Sequence, residues 1–254
     1  MLATSMACAQ TPSASPIAGV DAATLDDLVA ASRILVNEGV FDGFGHASMR
    51  HPTNPKRFLM SRNMAPALVT AADIMEFDVE TSEPVEARGR KVFLERFIHG
   101  EIYKNRPDVN AVVHSHSPSV IPFGVVASQP LKPVYHMSAF LYGGVPIYDI
   151  RGDVAASNML IGNRELGRAL ARTLGDKTVV LMRGHGNVVI APSMPLAVFR
   201  AVYTETNARL QLQAIALGGP INYLTPEEGQ RAADTMATQV ERPWDLWKKK
   251  ALGK

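Results

Sequence analysis

The sequence contains one cysteine, Cys8, and this scarcity limits what the chain can be. A single cysteine forms no disulfide within the chain and builds no cysteine-rich metal site. No apolar run approaches the roughly 18 residues that a membrane-spanning helix needs. No internal repeat has the length that builds solenoids or propellers. These absences argue against a disulfide-stabilised secreted domain, a membrane protein and a repeat protein.

Excess charge of one sign is also lacking. The chain has 26 Lys and Arg against 24 Asp and Glu, a net charge of +2. The basic residues are dispersed, except for a run at 248–250, and form no stripe interleaved with aromatic residues. We therefore expect no nucleic-acid partner. With 46% hydrophobic and 20% charged residues over 254 positions, the chain can bury a large core.

The first residues, "MLATSMACAQTPSASPIAG", are mostly small and polar. They have neither the basic start nor the continuous apolar segment of a secretory signal. We predict a flexible leader over residues 1–20 and a single domain over 21–254 that ends in a helical tail. The default prediction for its location is the cytoplasm.

Helical and strand patterns alternate along the rest of the chain. The pattern predicts helices over Thr24–Gly39, 91–105, about 155–174, Ser193–Gly218 and from Thr225, with a short one from Ser117. It predicts a glycine-rich loop that runs into a short strand in "FDGFGHASMRHP", and a turn and a strand over 73–79. It also predicts strands in "RFLMS", "VNAVVHSH", "GVPIYDI", "KTVVLM" and "NVVIA". Several strands follow one another too closely for a helical crossover. We therefore expect an α/β fold with a mixed, partly antiparallel sheet and helices on its faces.

Two histidines stand one residue apart in the stretch "NAVVHSHSPS". Residues i and i+2 of a strand point to the same side, so His114 and His116 present two imidazoles together. Neutral imidazole is a common ligand of divalent transition metals. The pair is half of a site, and a third ligand is needed.

The turn "RGHG" supplies a third histidine, His185, between two apolar strands. Its flanking glycines allow a tight turn and a close approach of the backbone. Each histidine alone is more simply a surface or packed residue, but the three together favour metal binding.

Glu95 lies in the predicted helix before this strand and is a candidate acid or base. A solvated glutamate is the commoner case, and spacing alone does not favour Glu95 over Glu101. His99, one turn later, either orients Glu95 or packs in the core, and we favour packing.

The stretches "HGEIYKNRPDVNAVVHSHSP" and "LMRGHGNVVI" together resemble the class II aldolase/adducin family, over about residues 24–217. The resemblance implies a three-layer αβα fold, commonly a homotetramer with active sites near subunit interfaces. It implies that His114, His116 and His185 bind a divalent ion, zinc or manganese in first place, with iron or cobalt as alternatives. It also implies that Glu95 is the catalytic acid or base.

Departures from the sugar-phosphate aldolases point to another substrate. Bulkier groups replace two parts of the phosphate cradle, and Phe93 and Leu94 offer no side-chain donor. His46, Ser61 and Arg62 are candidates for binding a substrate carboxylate. His136 stands where the aldolases tend to have a catalytic tyrosine. A surface ion pair for Arg62 and a packed loop position for His136 are the simpler alternatives.

These features are similar to the branch that includes the hydroxymethylpyridine-dicarboxylate decarboxylase. The first hypothesis is therefore a metal-dependent carbon–carbon lyase that decarboxylates a hydroxylated aromatic or heteroaromatic carboxylic acid. The second is retro-aldol cleavage of an unphosphorylated hydroxy-carbonyl compound at the same site. The third is a non-catalytic adducin-like assembly module, which the retention of all three histidines argues against.

Overall fold

The structure is a computed structural model that describes residues 17–154 and 156–253. Residues 1–16 of the predicted leader lie outside the described residues. The strands are β1 (His46–Arg50), β2 (Arg57–Ser61), β3 (Ile74–Asp78), β4 (Ala111–Ser115), β5 (Ile147–Tyr148), β6 (Val179–Met182) and β7 (Gly186–Ala191). The α-helices are α1 (Ala22–Asn37), α2 (Arg96–Asn105), α3 (Ile121–Val125), α4 (Arg164–Leu174), α5 (Met194–Leu217), α6 (Pro226–Ala237) and α7 (Glu241–Leu252).

The seven strands form one sheet in the order β3-β2-β1-β4-β7-β6-β5. Neighbouring strands are antiparallel, except for the parallel pair β5 and β6. The short connections of β1 to β2 and of β6 to β7 allow only antiparallel pairing. The predicted mixed sheet is confirmed.

Helices cover both faces of this sheet, which gives the three-layer αβα arrangement that the resemblance implied. Val112 of β4 packs in the core on the side of α2 and α4, and Val113 packs in the core on the side of α1 and α5. Side chains alternate along a strand, so His114 lies on the same face as Val112, towards α2.

Two predicted helix starts agree with the structure. The Ser193 side chain caps α5 by accepting a hydrogen bond from the Leu196 N–H, and α5 runs up to Gly218. Thr225 and Glu228 form a capping box at the start of α6. The following helix, α7, packs on α1 and α5 with Trp244 and Trp247 buried. Helix α7 is therefore part of this chain's own core. Across the described ranges, no helix has both the length and the apolarity required for crossing a membrane.

Several helix boundaries were predicted wrongly. Helix α1 is capped by Asp21, whose carboxylate accepts the Thr24 N–H, instead of by Thr24 itself. Helix α2 begins at Arg96 instead of residue 91. Helix α4 begins at Arg164, because Asn163 accepts the Leu166 N–H as its cap; in 156–163 the chain is not helical. The helix expected from Ser117 begins at Ile121.

Candidate metal centre and active site

The sheet brings two histidines face to face at one end of β1 and β4. His46 and His114 are directly opposite in the antiparallel pairing, so both side chains lie on the α2 face. Their ring centroids are 5.1 Å apart. His116 follows two residues after His114, just beyond the end of β4, and its ring is 5.2 Å from that of His114. The predicted side-by-side arrangement of His114 and His116 is thus present.

The turn between β6 and β7 delivers His185 to the same place. Gly184 has a φ of +65°, in the left-handed region that favours glycine. A Cβ at Gly186 would stand 2.1 Å from the Ser115 carbonyl oxygen. The turn therefore packs directly against the end of β4, and the His185 Nε2 lies 3.0 Å from the His116 Nε2.

Glu95 approaches these imidazoles from the start of α2. It is the buried residue preceding the first helical position, where the helix dipole favours a carboxylate. Its Oε1 accepts the Ile161 N–H at 2.9 Å. Its Oε2 lies 3.4 Å from the His114 Nε2 and 3.6 Å from the His185 Nε2. One ligand atom from each of the four residues lies within 4.8 Å of all the others.

The hydrogen bonds of these histidines fit a metal ion. The His114 Nδ1 donates to the Asn187 carbonyl at 3.1 Å, and the His185 Nδ1 donates to the Met159 carbonyl at 2.9 Å. In the neutral imidazoles both Nε2 atoms then carry lone pairs. The His114 Nε2 is buried without a hydrogen-bond partner. The Nε2 lone pairs point towards the Glu95 carboxylate, and a divalent cation between them would bind both. Backbone carbonyl partners on Nδ1 are typical of metal-bound histidines.

Burial favours the neutral, metal-binding form of two of these imidazoles, those of His116 and His185. It lowers the pKa of His185 to about 4 and also lowers the pKa of His116. For Glu95, burial acts to raise the pKa, but the nearby imidazoles of His114 and His185 outweigh it and lower the pKa. The site therefore contains an ionised carboxylate.

A cavity of about 510 Å³ opens beside this cluster. Its lining residues are Gly43, Phe44, Gly45, His46, Asn63, Met64, Ala65, Phe93, Leu94, Glu95, His114, His116 and Leu160. Among the described residues of this chain, the lining includes no lysine and no arginine. The cavity lining is mostly apolar, and its polar side chains are those of the histidines, Glu95 and Asn63. Such a space suits a largely apolar molecule with polar groups that reach the histidines.

The other predicted substrate-binding and catalytic residues lie away from this cavity within one chain. Ser61 is buried at the end of β2, and Arg62 forms an ion pair with Asp73, Nε to Oδ1 at 2.7 Å. The exposed His136 begins a mostly buried 3₁₀ helix, His136–Leu141, which packs on α5 and α6 across the sheet from His114. The chain itself therefore brings together Glu95, His46 and the three predicted ligands.

The structure also separates alternatives that sequence spacing left open. Glu101 is buried in ion pairs with Arg164 and Arg168, on α4, whereas Glu95 faces the histidines. His99 contacts His46 rather than Glu95. Sequence reasoning missed Asn63 and Phe44 as cavity residues, and Met159 as the partner of His185. Asn63 directly follows Arg62, so the loop had been recognised although Asn63 itself was not named.

Comparisons with known proteins agree with this geometry. The family described as "Class II Aldolase and Adducin N-terminal domain" matches residues 26–212. Decarboxylase tropJ of Talaromyces stipitatus is 35% identical over 86% of this chain and 90% of its own length. The 3,4-dihydroxyphthalate decarboxylase of Arthrobacter keyseri is 34% identical over 76% of this chain and 79% of its own.

A solved structure shows the same fold. The L-fuculose 1-phosphate aldolase of Glaciozyma antarctica PI12 superposes with a TM-score of 0.73 at 24% identity, covering 90% of this chain and 89% of that one. The likeness at this identity concerns the fold alone, while the family match spans most of the sequence and all four residues of the cluster. The chain belongs to the class II aldolase and adducin family.

Proposed function

We propose that the protein is a divalent-metal-dependent lyase that decarboxylates a hydroxylated aromatic or heteroaromatic carboxylic acid. One observation carries the proposal: three imidazoles and the Glu95 carboxylate converge beside a mostly apolar cavity. The two relatives named as decarboxylases support the choice of reaction.

His114, His116 and His185 would hold the metal ion. Three imidazoles suit zinc or manganese, and also iron or cobalt. When bound, the ion would act as a Lewis acid that stabilises negative charge on a substrate oxygen. The retained donor set argues against a non-catalytic assembly module.

Glu95 would handle the proton of the reaction. Its lowered pKa makes it a carboxylate in the free protein, so it can first take the proton of the substrate's ring hydroxyl. The bond between the ring carbon and the carboxylate then breaks, CO₂ leaves, and the electron pair stays on the ring. Glu95 returns its proton to that ring carbon, which restores the starting carboxylate.

The substrate would be a small carboxylate whose ring lies against Phe93 and Leu94, with His46 near its polar edge. Ser61 and Arg62 remain proposed carboxylate-binding residues. The Arg62 side chain is 40% exposed, and its contact with Asp73 is made by Nε. The lack of lysine and arginine in the described cavity lining supports an unphosphorylated substrate.

A homotetramer with active sites near subunit interfaces is also proposed. Phe44 and Leu94 line the cavity but are 69% and 48% exposed. They form an apolar rim that a second copy of the chain would cover. His136 would then act as a catalytic residue from a neighbouring copy. The proposal includes a cytoplasmic location and no nucleic-acid or membrane partner.

Product analysis tests the function. Purified protein loaded separately with zinc and manganese receives ortho-hydroxy aromatic and pyridine carboxylates, and in parallel unphosphorylated hydroxy-ketones, with CO₂ and aldehyde both measured. CO₂ from the aromatic acids is the expected result. Aldehyde without CO₂ would establish retro-aldol cleavage instead, and neither product with no bound metal would favour an assembly module. His114→Ala should lose both metal and turnover, and full activity of that variant would refute the site.

A further inference from the structure

A chain of buried hydrogen bonds runs from His46 into the core beneath the cavity. The His46 Nδ1 lies 2.7 Å from the His99 Nε2, and the His99 Nδ1 lies 2.6 Å from the Ser48 Oγ. The Ser48 Oγ in turn lies 2.8 Å from the Tyr103 hydroxyl. His99 and Ser48 are fully buried, and Tyr103 is 1% exposed. The proposed reaction uses none of the three residues behind His46.

The direction of this chain follows from its inner end. Among the described residues, Ser48 Oγ is the one acceptor within hydrogen-bond distance of the Tyr103 hydroxyl. A buried O–H group needs an acceptor, so Tyr103 donates to Ser48. The single proton of the Ser48 hydroxyl then goes to the His99 Nδ1, the other partner of that oxygen.

The contact between the two rings fixes the remaining protons, because two facing nitrogens 2.7 Å apart share a single proton. An imidazole ring carries at least one N–H. Because the His99 Nδ1 accepts from Ser48, its proton is on Nε2, where it is donated to the His46 Nδ1. The N–H of His46 must therefore be on Nε2.

The His46 Nε2 has no hydrogen-bond partner in the described part of the chain, and it is not among the fully buried unpartnered atoms. His46 lines the cavity, with its ring 4.6 Å from Phe93 and 5.1 Å from His114. The N–H is thus free to meet a ligand that enters beside the metal cluster.

We propose that His99, backed by Ser48 and Tyr103, is a positioning residue that holds His46 with its proton on Nε2, as a donor to an oxygen of the substrate. The oxygen is a carboxylate or phenolate oxygen, which accepts a strong hydrogen bond. The identity of this ligand rests on the proposed function, whereas the position of the proton does not. A donor fixed in advance is worth more than one that must reorganise on binding.

The proton position is tested without turnover. Long-range ¹H–¹⁵N spectra are recorded on ¹⁵N-histidine-labelled protein, metal-free and zinc-loaded, with His46 assigned by its loss in His46→Gln. We expect protonated Nε2 and unprotonated Nδ1 in wild type, with mixed protonation of His46 in Ser48→Ala. A proton on the His46 Nδ1 in wild type would overturn the proposal.

Kinetics test the positioning role with two matched variants of the same residue. In His99→Gln the amide can occupy the place of the imidazole Nε2 and still donate to His46, whereas His99→Leu fills the space without a donor. Per zinc-loaded site, we expect kcat/KM to fall by about 100-fold in His99→Leu, and by less than about tenfold in His99→Gln, since loss of one oriented donor costs 10²–10³. Equal kcat/KM in the two variants would reduce His99 to a packing residue.

A double-mutant cycle separates positioning from folding. In a His46→Ala background, His99→Leu should change kcat/KM by no more than about twofold, because residues that act through one another are not additive. A further 100-fold loss there would overturn the proposal. If His99→Leu does not fold, Ser48→Ala replaces it in the cycle.

The two proposals fail in different ways. If wild type converts no compound of the panel while His46 carries its proton on Nε2, the proposed function is wrong and the proton assignment holds. If the acids release CO₂ while His46 carries its proton on Nδ1, the function holds and the positioning role is wrong.

Discussion

The two glycines that flank His185 give a sharp test of the metal centre, because they are glycine for different reasons. Gly186 lies against the β4 backbone, with the site for a Cβ only 2.1 Å from the Ser115 carbonyl oxygen. A Cβ added at Gly184 would have room, because the nearest atom, the Met159 Cε, is 3.6 Å away. The φ of Gly184 is +65°, however, in the left-handed region that disfavours other residues. Gly186→Ala and Gly184→Ala therefore add the same methyl group on either side of one ligand.

The expected size of each effect follows from these distances. A carbon and a carbonyl oxygen in contact are about 3.3 Å apart, so Gly186→Ala must move β7 from the end of β4 by roughly 1 Å. His116 directly follows Ser115, and metal–ligand distances tolerate only about 0.2 Å. We expect zinc affinity to fall more than about 100-fold, beyond the usual effect of a residue next to the ligands. Gly184→Ala costs about 1–2 kcal/mol of left-handed strain, which bounds its effect at about 30-fold.

The assay is competition for zinc between the metal-free protein and a chromophoric chelator, with thermal unfolding measured on the same samples. Both variants should fold, and Gly186→Ala should be the weaker zinc binder. If Gly186→Ala bound zinc as tightly as Gly184→Ala, the contact between the turn and β4 would not set the geometry of the ligands.

Three further predictions concern other parts of the chain. Glu95→Gln should retain zinc but lose about 10²–10⁴ in kcat, while the buried Glu101→Gln should leave kcat per folded site unchanged; equal kcat losses would refute the proton role. Thr225→Ala should lower the free energy of unfolding by about 1 kcal/mol in urea, without changing kcat, because it removes one half of the α6 capping box. In metal-free protein, the pKa of His99 is about 3, below its unfolded value of 6.5. Between these two pH values the unfolded state binds more protons than the folded state, so the free energy of unfolding falls as the pH drops. In His99→Gln the dependence of the unfolding free energy on pH should be smaller by up to about 1.4 kcal/mol per pH unit, as measured by urea unfolding between pH 6.5 and 4. A variant with the same pH dependence as wild type would contradict this prediction.

Sequence pattern predicted the fold where local signals and packing agree. The strands around "RGHG" are apolar and separated by a glycine turn, so pattern and pairing point to the same hairpin. Helix α5 has a serine cap at one end and a glycine at the other. The start of α2 was missed because Phe93 and Leu94 fit helical spacing but line the cavity instead. Periodicity reports an apolar face and does not report whether that face meets a core or a ligand.

The candidate site was predictable as far as residue type and strand periodicity reach. His114 and His116 follow from the i, i+2 rule, and the histidine of a glycine turn was a reasonable third partner. The alignment of His46 opposite His114 depends on the strand register between β1 and β4. These two residues are 68 positions apart in the sequence, and no local signal specifies their pairing. Arg62 was favoured because its guanidinium can bind a carboxylate in bidentate fashion. In this chain the guanidinium forms an ion pair with Asp73, which the pairing of β2 with β3 brings near.

The most informative error concerns 156–163, where helical spacing was expected and the chain is not helical. Met159 has a φ of +73°, a left-handed conformation that costs a residue with a side chain energy. In that conformation its carbonyl accepts the His185 Nδ1–H, and two residues later the Ile161 N–H donates to Glu95. A helix here would use those backbone groups internally and leave both side chains without orientation. Strain that the surrounding fold maintains is characteristic of functional sites, and local propensity fails here because the segment orients His185 and Glu95.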